Sequence, residues 1–285
     1  MDLHRTAIEF FQANRLACLA GMAGLAGLIL AAALIWSFGI DRGGLKPPED
    51  SAALKQVRAV SLANIRRTGQ VRPAFVDRID VDLAAFTADE RKRNFFRVIL
   101  PLVARENDRI RAERKILAGK PDAVPDALYE RYGVTPGEVE ILRPRVDIIP
   151  ASLVLAQAAL ESGWGTSRFA LHGNNLFGMR HYNRGAPGLV PAAAANAGFK
   201  VMLFETLGDS VAAYMRNLNS HDAYRRLRAA RAAMRRAGKR ATGADLTVWL
   251  TNYSEIPEEY GEMLRTLIAR ENLTPFDNVR LAANR

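Results

Sequence analysis

The sequence predicts a mainly α protein with a small β-lobe, an α+β fold, that follows an N-terminal transmembrane helix. Long segments repeat apolar residues at helical spacing, and one stretch rich in Gly, Asn and Pro interrupts them at residues 173–205. A charge-free apolar run occupies residues 16–40. The 285 residues are 49% hydrophobic and 25% charged, which is enough for one or two globular domains with a core.

The apolar run from Leu16 to Ile40 is predicted to be a membrane anchor. A helix of that length, rising about 1.5 Å per residue, spans a bilayer core of about 30 Å, and Trp36 suits the interface. The alternative is a cleaved signal peptide, whose apolar region is only about 7–15 residues long and ends in a small-residue cleavage site. Positive charges flank both ends of the run, so the charge pattern leaves the orientation open.

Residues 41–120 are predicted to be a linker followed by a helical N-terminal region. Asp41–Ser51 is rich in Gly, Pro and charge, and residues 52–72 favour a short basic helix that ends by Gly69. Thr87 and Glu90 form a capping-box pattern at the start of a long helix. Pro101 is expected to kink or divide that helix.

Residues 121–276 are predicted to form the main domain, and residues 277–285 a C-terminal tail. Two short helices precede Pro150–Trp164, which is nearly all apolar and therefore predicted to be a buried helix with Pro150 in its first turn. Short runs punctuated by Gly, Asn and Pro then indicate an antiparallel β-unit, and further helices follow it.

Charge and residue usage limit the partners and cofactors. The net charge of +10 and the isoelectric point of about 10.1 favour a polyanionic partner such as nucleic acid, anionic lipid or a cell-wall polymer. Arg225–Arg240 holds eight basic residues and no acid, although a solvated helix face whose alkyl stems pack on the domain is the plainer interpretation. Without suitably spaced aromatic residues, no nucleic-acid partner is expected. Cys18 is the single cysteine and no HExxH-type pair occurs, so we expect no metal and no cofactor.

Glu161 is a carboxylate at an unusual place, the end of the buried helix. It lies four residues after Gln157 and so shares one helix face with it. Trp164 and two glycines follow, and small residues permit close approach of a ligand. Apolar surroundings raise the pKa of a carboxyl group, which keeps the proton that a general acid needs. The alternative is a helix-end glutamate that faces water, and the helix alone does not decide between them.

Several motifs in order resemble the bacterial β-N-acetylglucosaminidases of glycoside hydrolase family 73, and within them the Bax-like proteins. They are "LAQAALESGWGTSRFA", "GNNLFGMR", "FETLGDSVAAYMRNLNSHDAYRRLR" and "NYSEIPEEYGEML", within about Pro125–Asn272. The resemblance implies a lysozyme-like fold in which a helical lobe and a β-lobe flank a cleft. It also implies cleavage of peptidoglycan glycan strands at the β-1,4 bond between N-acetylglucosamine and N-acetylmuramic acid.

The resemblance assigns candidate roles to individual residues. Glu161 matches the catalytic acid, and Tyr253 matches a tyrosine of the second half of the cleft. The candidate substrate-binding residues are Gln157, Trp164, Asn174, Asn175, Phe177, Gly178 and Tyr260. For Trp164, sugar stacking and packing under the turn are equally good interpretations.

The partner of Glu161 is an open question. Many relatives carry a second acid in the β-hairpin, but residues 181–204 contain no Asp or Glu. Glu255 is the first substitute candidate and Glu205 the second. A third route uses the substrate's own N-acetyl group, with Tyr253 orienting that group or the water. A lytic transglycosylase, or an inactive wall-binding scaffold, is the alternative function.

A cell-wall substrate would also decide the orientation in the membrane. We expect residues 1–15 to be cytoplasmic, residues 16–40 to cross the inner membrane once, and the catalytic domain to lie in the periplasm. The expected partners are peptidoglycan strands and that membrane.

Overall fold

The computed structural model describes residues 44–119, 123–183, 185–190, 198–250, 253 and 257–283. The chain divides into the units Met1–Gly43 and Gly44–Arg285. The predicted anchor at residues 16–40 and the candidate Glu255 lie outside the described residues. Within the described ranges, no helix has both the length and the apolar character needed to cross a bilayer.

Helices dominate the unit that begins at Gly44, and five very short strands accompany them. The helices are α1 (Ala52–Val57), α2 (Leu62–Thr68), α3 (Ala88–Leu117), α4 (Asp126–Arg131), α5 (Val139–Arg145), α6 (Ala151–Ser162), α7 (Arg168–Gly173), α8 (Leu207–Ser220), α9 (Arg225–Arg236), α10 (Gly243–Leu246) and α11 (Pro257–Arg270). The strands are β1 (Gln70–Val71), β2 (Arg180–His181), β3 (Gly188–Leu189), β4 (Lys200–Met202) and β5 (Arg280–Leu281). The prediction of a mainly α chain with a small sheet is therefore confirmed.

The strands form two sheets. The first is antiparallel with the order β2-β4-β3, in which Val201 pairs with both Arg180 and Leu189, and it is the predicted β-unit. The second was not predicted: β1 pairs with β5 in parallel, with Gln70 opposite Arg280. The predicted C-terminal tail thus contributes a strand to the compact unit. Two-residue strands are too short for the alternation by which a strand is recognised in sequence.

The long helix α3 begins as predicted but continues past its proline. Thr87 Oγ1 accepts the N–H of Glu90 at 3.4 Å, and the Glu90 carboxylate accepts the N–H of Thr87 at 3.3 Å, which completes the capping box. Of the two outcomes predicted for Pro101, division of the helix is wrong, because α3 runs unbroken to Leu117, and the kink stays a prediction. Pro101 lies in the middle of a buried stretch, and we attribute the continuity to its packing, which offsets the loss of one hydrogen bond.

Helix α6 is the centre of the core, as its composition predicts. Every residue from Ala151 to Ala159 is buried, and α6 packs against α3, α10 and α11. A helix that is apolar on all sides is stable only when other elements cover it completely. Gly243 allows α10 to approach α6, because a Cβ at that position would lie 2.6 Å from the backbone nitrogen of Leu153.

Gly243→Ala is expected to destabilise the protein by about 1–3 kcal/mol, since the added Cβ would overlap the Ser152 side chain and the Leu153 backbone, and backbone moves only at a cost. The control is Gly44→Ala, whose added Cβ would meet no atom within 4 Å. Urea unfolding curves of the two variants measure the difference. Equal midpoints for both variants would contradict the close contact between α10 and α6.

Two arginines of the basic segment at residues 225–240 are buried. Arg228 is 4% exposed and donates to the carbonyls of Leu218 (3.1 Å) and His221 (2.7 Å). Arg231 is 3% exposed and donates to the carbonyl of Ile148 at 3.0 Å, among others. The interpretation of this segment as a solvated helix face is therefore wrong for these two positions. Their guanidinium groups satisfy carbonyls that helix ends and loops leave unpaired.

Candidate active site

A tight turn at the end of α6 places Glu161 at its position. Three successive residues, Gly163, Trp164 and Gly165, have positive φ angles of 57°, 61° and 78°. Gly163 ends the helix in the left-handed conformation that glycine adopts without strain. At Gly165, an added Cβ would lie 2.8 Å from the side chain of Ile79. The glycines after Glu161 are thus needed for the turn itself and for its packing on the core.

A chain of hydrogen bonds leads from the core to the Glu161 carboxylate. The Tyr260 hydroxyl donates to Glu161 Oε1 at 2.7 Å, and Gln157 Nε2 donates to the Tyr260 hydroxyl at 2.9 Å. The Tyr214 hydroxyl in turn donates to Gln157 Oε1. Gln157 is fully buried, so the prediction that it binds substrate is wrong. It holds Tyr260 in place, and Tyr260 holds the carboxylate.

The surroundings of Glu161 raise the pKa of its carboxyl group. Burial is the largest cause and disfavours the charged form. The hydrogen bond from Tyr260 and the positive charge of Arg180 oppose the rise but do not cancel it. Among the described residues, no other carboxylate is a cause of this shift. A raised pKa is the direction that a general acid requires, in agreement with the sequence-based prediction.

Asn175 fixes the loop that passes beside Glu161. Its Nδ2 donates to the carbonyls of Met179 and Met202, both at 2.9 Å. Its Oδ1 accepts the N–H groups of Phe177 at 3.3 Å and Met179 at 3.0 Å. The side chain is 1% exposed, so these contacts give it a structural role in the loop and leave it no contact with a ligand.

Asn174 attaches the end of α7 to the end of the β-unit. It has a positive φ of 50°, and its Nδ2 donates to the carbonyls of Phe204 at 3.0 Å and Glu205 at 2.9 Å. Glu205 accepts this hydrogen bond with its backbone carbonyl, and the residue is exposed. These contacts give Asn174 a role in positioning the hairpin, and its contact with substrate stays a prediction.

Gly178 and a set of aromatic rings form the wall next to the carboxylate. Gly178 has a φ of 63°, and a Cβ there would lie 3.8 Å from Glu161 Oε2. Phe177 stacks on Tyr214 with ring centroids 3.9 Å apart, and its carbonyl accepts from the Tyr253 hydroxyl at 2.9 Å. Tyr253 stacks on Tyr260 with centroids 5.5 Å apart. The "NNLFG" loop, Tyr253 and Tyr260 therefore meet at Glu161.

Trp164 packs beneath the turn. Its ring contacts Phe95 and Phe96 edge to face, with centroid distances of 5.9 and 5.4 Å, and the Lys92 ammonium lies 5.4 Å from the ring centroid. Of the two interpretations of this residue, these contacts favour packing over sugar stacking. Tyr253 and Tyr260, whose rings stack on each other, are the aromatic residues nearer to the acid, and Tyr260 donates to it at 2.7 Å.

Tyr214 and Arg180 belong to the site but were not among the predicted residues. Tyr214 lies on the buried face of α8, and a buried aromatic at helical spacing reads as core in a sequence. Arg180 opens β2 in a segment of mixed composition. Among the described side chains, no group of three or more His, Cys, Asp or Glu could hold a metal ion.

A family model and known bacterial proteins match parts of this chain. The family model described as mannosyl-glycoprotein endo-beta-N-acetylglucosaminidase matches residues 140–273. Protein bax of Escherichia coli is 35% identical over 211 residues, which cover 68% of this chain and 72% of that protein. Exo-glucosaminidase LytG of Bacillus subtilis is 43% identical over 49 residues, or 17% of each chain.

A solved structure also matches. The catalytic domain of the autolysin Auto from Listeria monocytogenes aligns with 76% of this chain and 98% of its own length, at 20% identity and a TM-score of 0.36. The E. coli relative decides the assignment, since the identity extends over most of both proteins. Because of its identity to the E. coli protein and the match of residues 140–273, the chain belongs to the Bax-like glucosaminidase family.

Proposed function

We propose that this protein is a peptidoglycan hydrolase that cleaves the β-1,4 bond between N-acetylglucosamine and N-acetylmuramic acid, with Glu161 as general acid. The observation that carries the proposal is the Glu161 carboxyl group, which is fixed by Tyr260 at 2.7 Å and has a raised pKa. The family's glucosaminidase description supports the choice of an N-acetylglucosamine glycan as substrate.

The proposed cleft lies beside Glu161, between the helical side and the β-unit, as in a lysozyme-like fold. Helices α6 and α11 contribute Glu161 and Tyr260, and the loop before β2 contributes the backbone at Gly178. A glycan strand bound there would present the oxygen of its scissile bond to the Glu161 proton. Transfer of that proton breaks the bond between this oxygen and the sugar C1, and water then adds to C1.

The positive charge that develops at C1 needs a second group. Glu255, the first candidate for this group, lies outside the described residues, and the route that we propose is stabilisation by the substrate's own N-acetyl group. The Tyr253 hydroxyl donates to the Phe177 carbonyl, so its oxygen is available to substrate only as an acceptor. That suits the N–H of an N-acetyl group, and we propose that Tyr253 orients this group.

Glu255→Gln distinguishes this route from a two-carboxylate mechanism. A loss of activity as large as that of Glu161→Gln would assign the second carboxyl group to Glu255. Activity close to that of the unmodified protein would instead leave assistance by the substrate, or a role of Glu205, as the better explanation. The measurement is the rate of soluble muropeptide release from isolated sacculi.

A lytic transglycosylase is the alternative function, since that reaction also needs a single acid, and the described site shows one. Mass spectrometry of sacculus digests separates the two reactions. Hydrolysis at the proposed bond leaves a reducing N-acetylglucosamine end, whereas a 1,6-anhydromuramyl end would assign the transglycosylase reaction. An inactive wall-binding scaffold would bind sacculi and release neither product.

Tyr260→Phe is expected to move the pH dependence of this activity. The Tyr260 hydroxyl donates to Glu161 and lowers the pKa of that carboxyl group, so its removal raises this pKa further. Because a general acid works only while protonated, the alkaline limb of the activity profile should shift to higher pH. Tyr214→Phe is the control, since Tyr214 bonds to Gln157 and not to the acid. An unmoved limb in Tyr260→Phe would contradict the proposed link.

We further propose that residues 16–40 anchor the protein in the inner membrane and that the catalytic domain faces the periplasm. The support is the charge-free apolar run and the location of the proposed substrate. Sequencing of the mature N-terminus tests the anchor, and a terminus beyond Ile40 would show that the run is removed.

A further inference from the structure

A basic cavity of about 540 Å³ opens between α3, the segment before α6, and the end of α9. Eight of its fourteen lining residues are Arg or Lys, and within this described lining Asp147 is the one acidic residue. Glu161 and the tyrosines next to it do not line the cavity. It is therefore a concave site separate from Glu161, with a different chemistry.

Several cations around the basic cavity are held in place by carboxylates. Arg235 forms two hydrogen bonds to the Asp147 carboxylate, one of them at 2.8 Å. Arg111 and Arg280 both contact Asp108, at 2.8 and 3.2 Å. These pairs hold the guanidinium groups in fixed places at the wall, so this part of the site is preorganised for a ligand.

Arg231 is a cation of the cavity wall with one unpaired N–H group. It lines the cavity and is 3% exposed, yet its Nε has no hydrogen-bond partner within the described structure. The nearest carboxylate oxygen, on Asp147, is 3.7 Å away and beyond hydrogen-bonding distance. A buried N–H without a partner is rare in proteins and calls for an acceptor.

The positive charge at the basic cavity exceeds what Asp147 neutralises. Burial, the largest cause, and repulsion by Arg114 and Arg235 together lower the pKa of Arg231 to about 10, although Asp147 opposes them. Lys239 and Arg240 are exposed and form no ion pair with the described residues. An anion with several charges would relieve the repulsion between these groups.

We propose that the basic cavity binds a phosphoryl anion, either a free polyphosphate-type ligand or the phosphodiester headgroup of an anionic lipid. Arginine forks match the geometry of phosphoryl oxygens, and several of them converge here with lysines as additional charges. The lining contains no aromatic side chain, so bases of a nucleic acid would find no stacking platform. This site does not depend on the proposed hydrolase activity.

Calorimetric titration of the purified full chain in neutral detergent tests the proposal, with inorganic pyrophosphate as probe. The unmodified protein should bind it saturably. The triple variant Lys115→Gln, Lys239→Gln and Arg240→Gln removes three lining charges outside the Asp147 pairs and should weaken binding at least ~10-fold. The absence of saturable binding to the unmodified protein would overturn the proposal.

A matched control removes three exposed charges outside the lining of the basic cavity, with Lys55→Gln, Arg58→Gln and Arg78→Gln. Its affinity should stay within about 2-fold of the unmodified protein. An equal loss in both variants would overturn the site, because it would show that only net charge matters. Glycerophosphoglycerol, a lipid headgroup without its chains, serves as a second probe. Tighter binding of this probe would identify the headgroup as ligand, and tighter pyrophosphate binding a free phosphate.

Discussion

Glu161→Gln is expected to slow the release of muropeptides from sacculi at least ~100-fold, the typical contribution of a general acid. Glutamine has nearly the same shape and can still accept the Tyr260 hydrogen bond at the position of Oε1. It has no acidic proton for the leaving oxygen, so the loss should appear in the rate and not in binding to sacculi.

The same substitution should not weaken the fold, which separates a chemical effect from a structural one. Burial raises the pKa of Glu161 in the folded state. The contribution of this group to stability is thus full below its unfolded pKa and is lost as pH rises through its folded pKa. At pH 7 the neutral glutamine avoids that loss, so the variant should be at least as stable. A loss of activity well below ~100-fold would point to another proton donor.

Asn175→Ala is expected to destabilise the protein by about 2–4 kcal/mol, the largest stability effect proposed for the site. The substitution removes the partner of two backbone N–H groups and two carbonyls at Phe177, Met179 and Met202. Each buried group left without a partner costs about 1–3 kcal/mol, and water can satisfy part of them. Because the same loop passes beside Glu161, activity should fall as well.

Chemical denaturation of the Asn175→Ala variant measures this effect. Asn183→Ala is the control, since Asn183 is an exposed residue of the same β-unit whose side chain accepts, within the described structure, the Gly185 N–H at 3.0 Å. Its cost should remain below about 1 kcal/mol. Equal stability of the two variants would contradict the role of Asn175 in holding the loop.

Local sequence patterns predicted the elements that are determined by residues close together in sequence. The Thr87 and Glu90 capping box begins α3, Gly69 ends α2, and the apolar composition of Pro150–Trp164 gives the buried helix α6. In each case the residues that determine the element are neighbours in sequence, so their spacing carries the information. The region predicted as one helix at residues 52–72 contains two, because Ser61 caps a new start.

Contacts between distant residues were not predictable in the same way. Gln157 reads as a polar residue on the face of Glu161, but it is buried because Tyr214 and Tyr260 both reach it. Arg231 reads as one more exposed cation of α9, but it satisfies carbonyls far away in sequence. A sequence shows which groups can hydrogen-bond, and only the fold shows which of them meet.

Digestion of sacculi in ¹⁸O-labelled water tests the central claim most directly, by mass spectrometry of the new reducing ends. For the unmodified protein we predict that one ¹⁸O enters at C1 of N-acetylglucosamine. For Glu161→Gln we predict that this labelled product falls at least ~100-fold. Unlabelled 1,6-anhydromuramyl ends, or equal amounts of labelled product from both proteins, would contradict hydrolysis by Glu161.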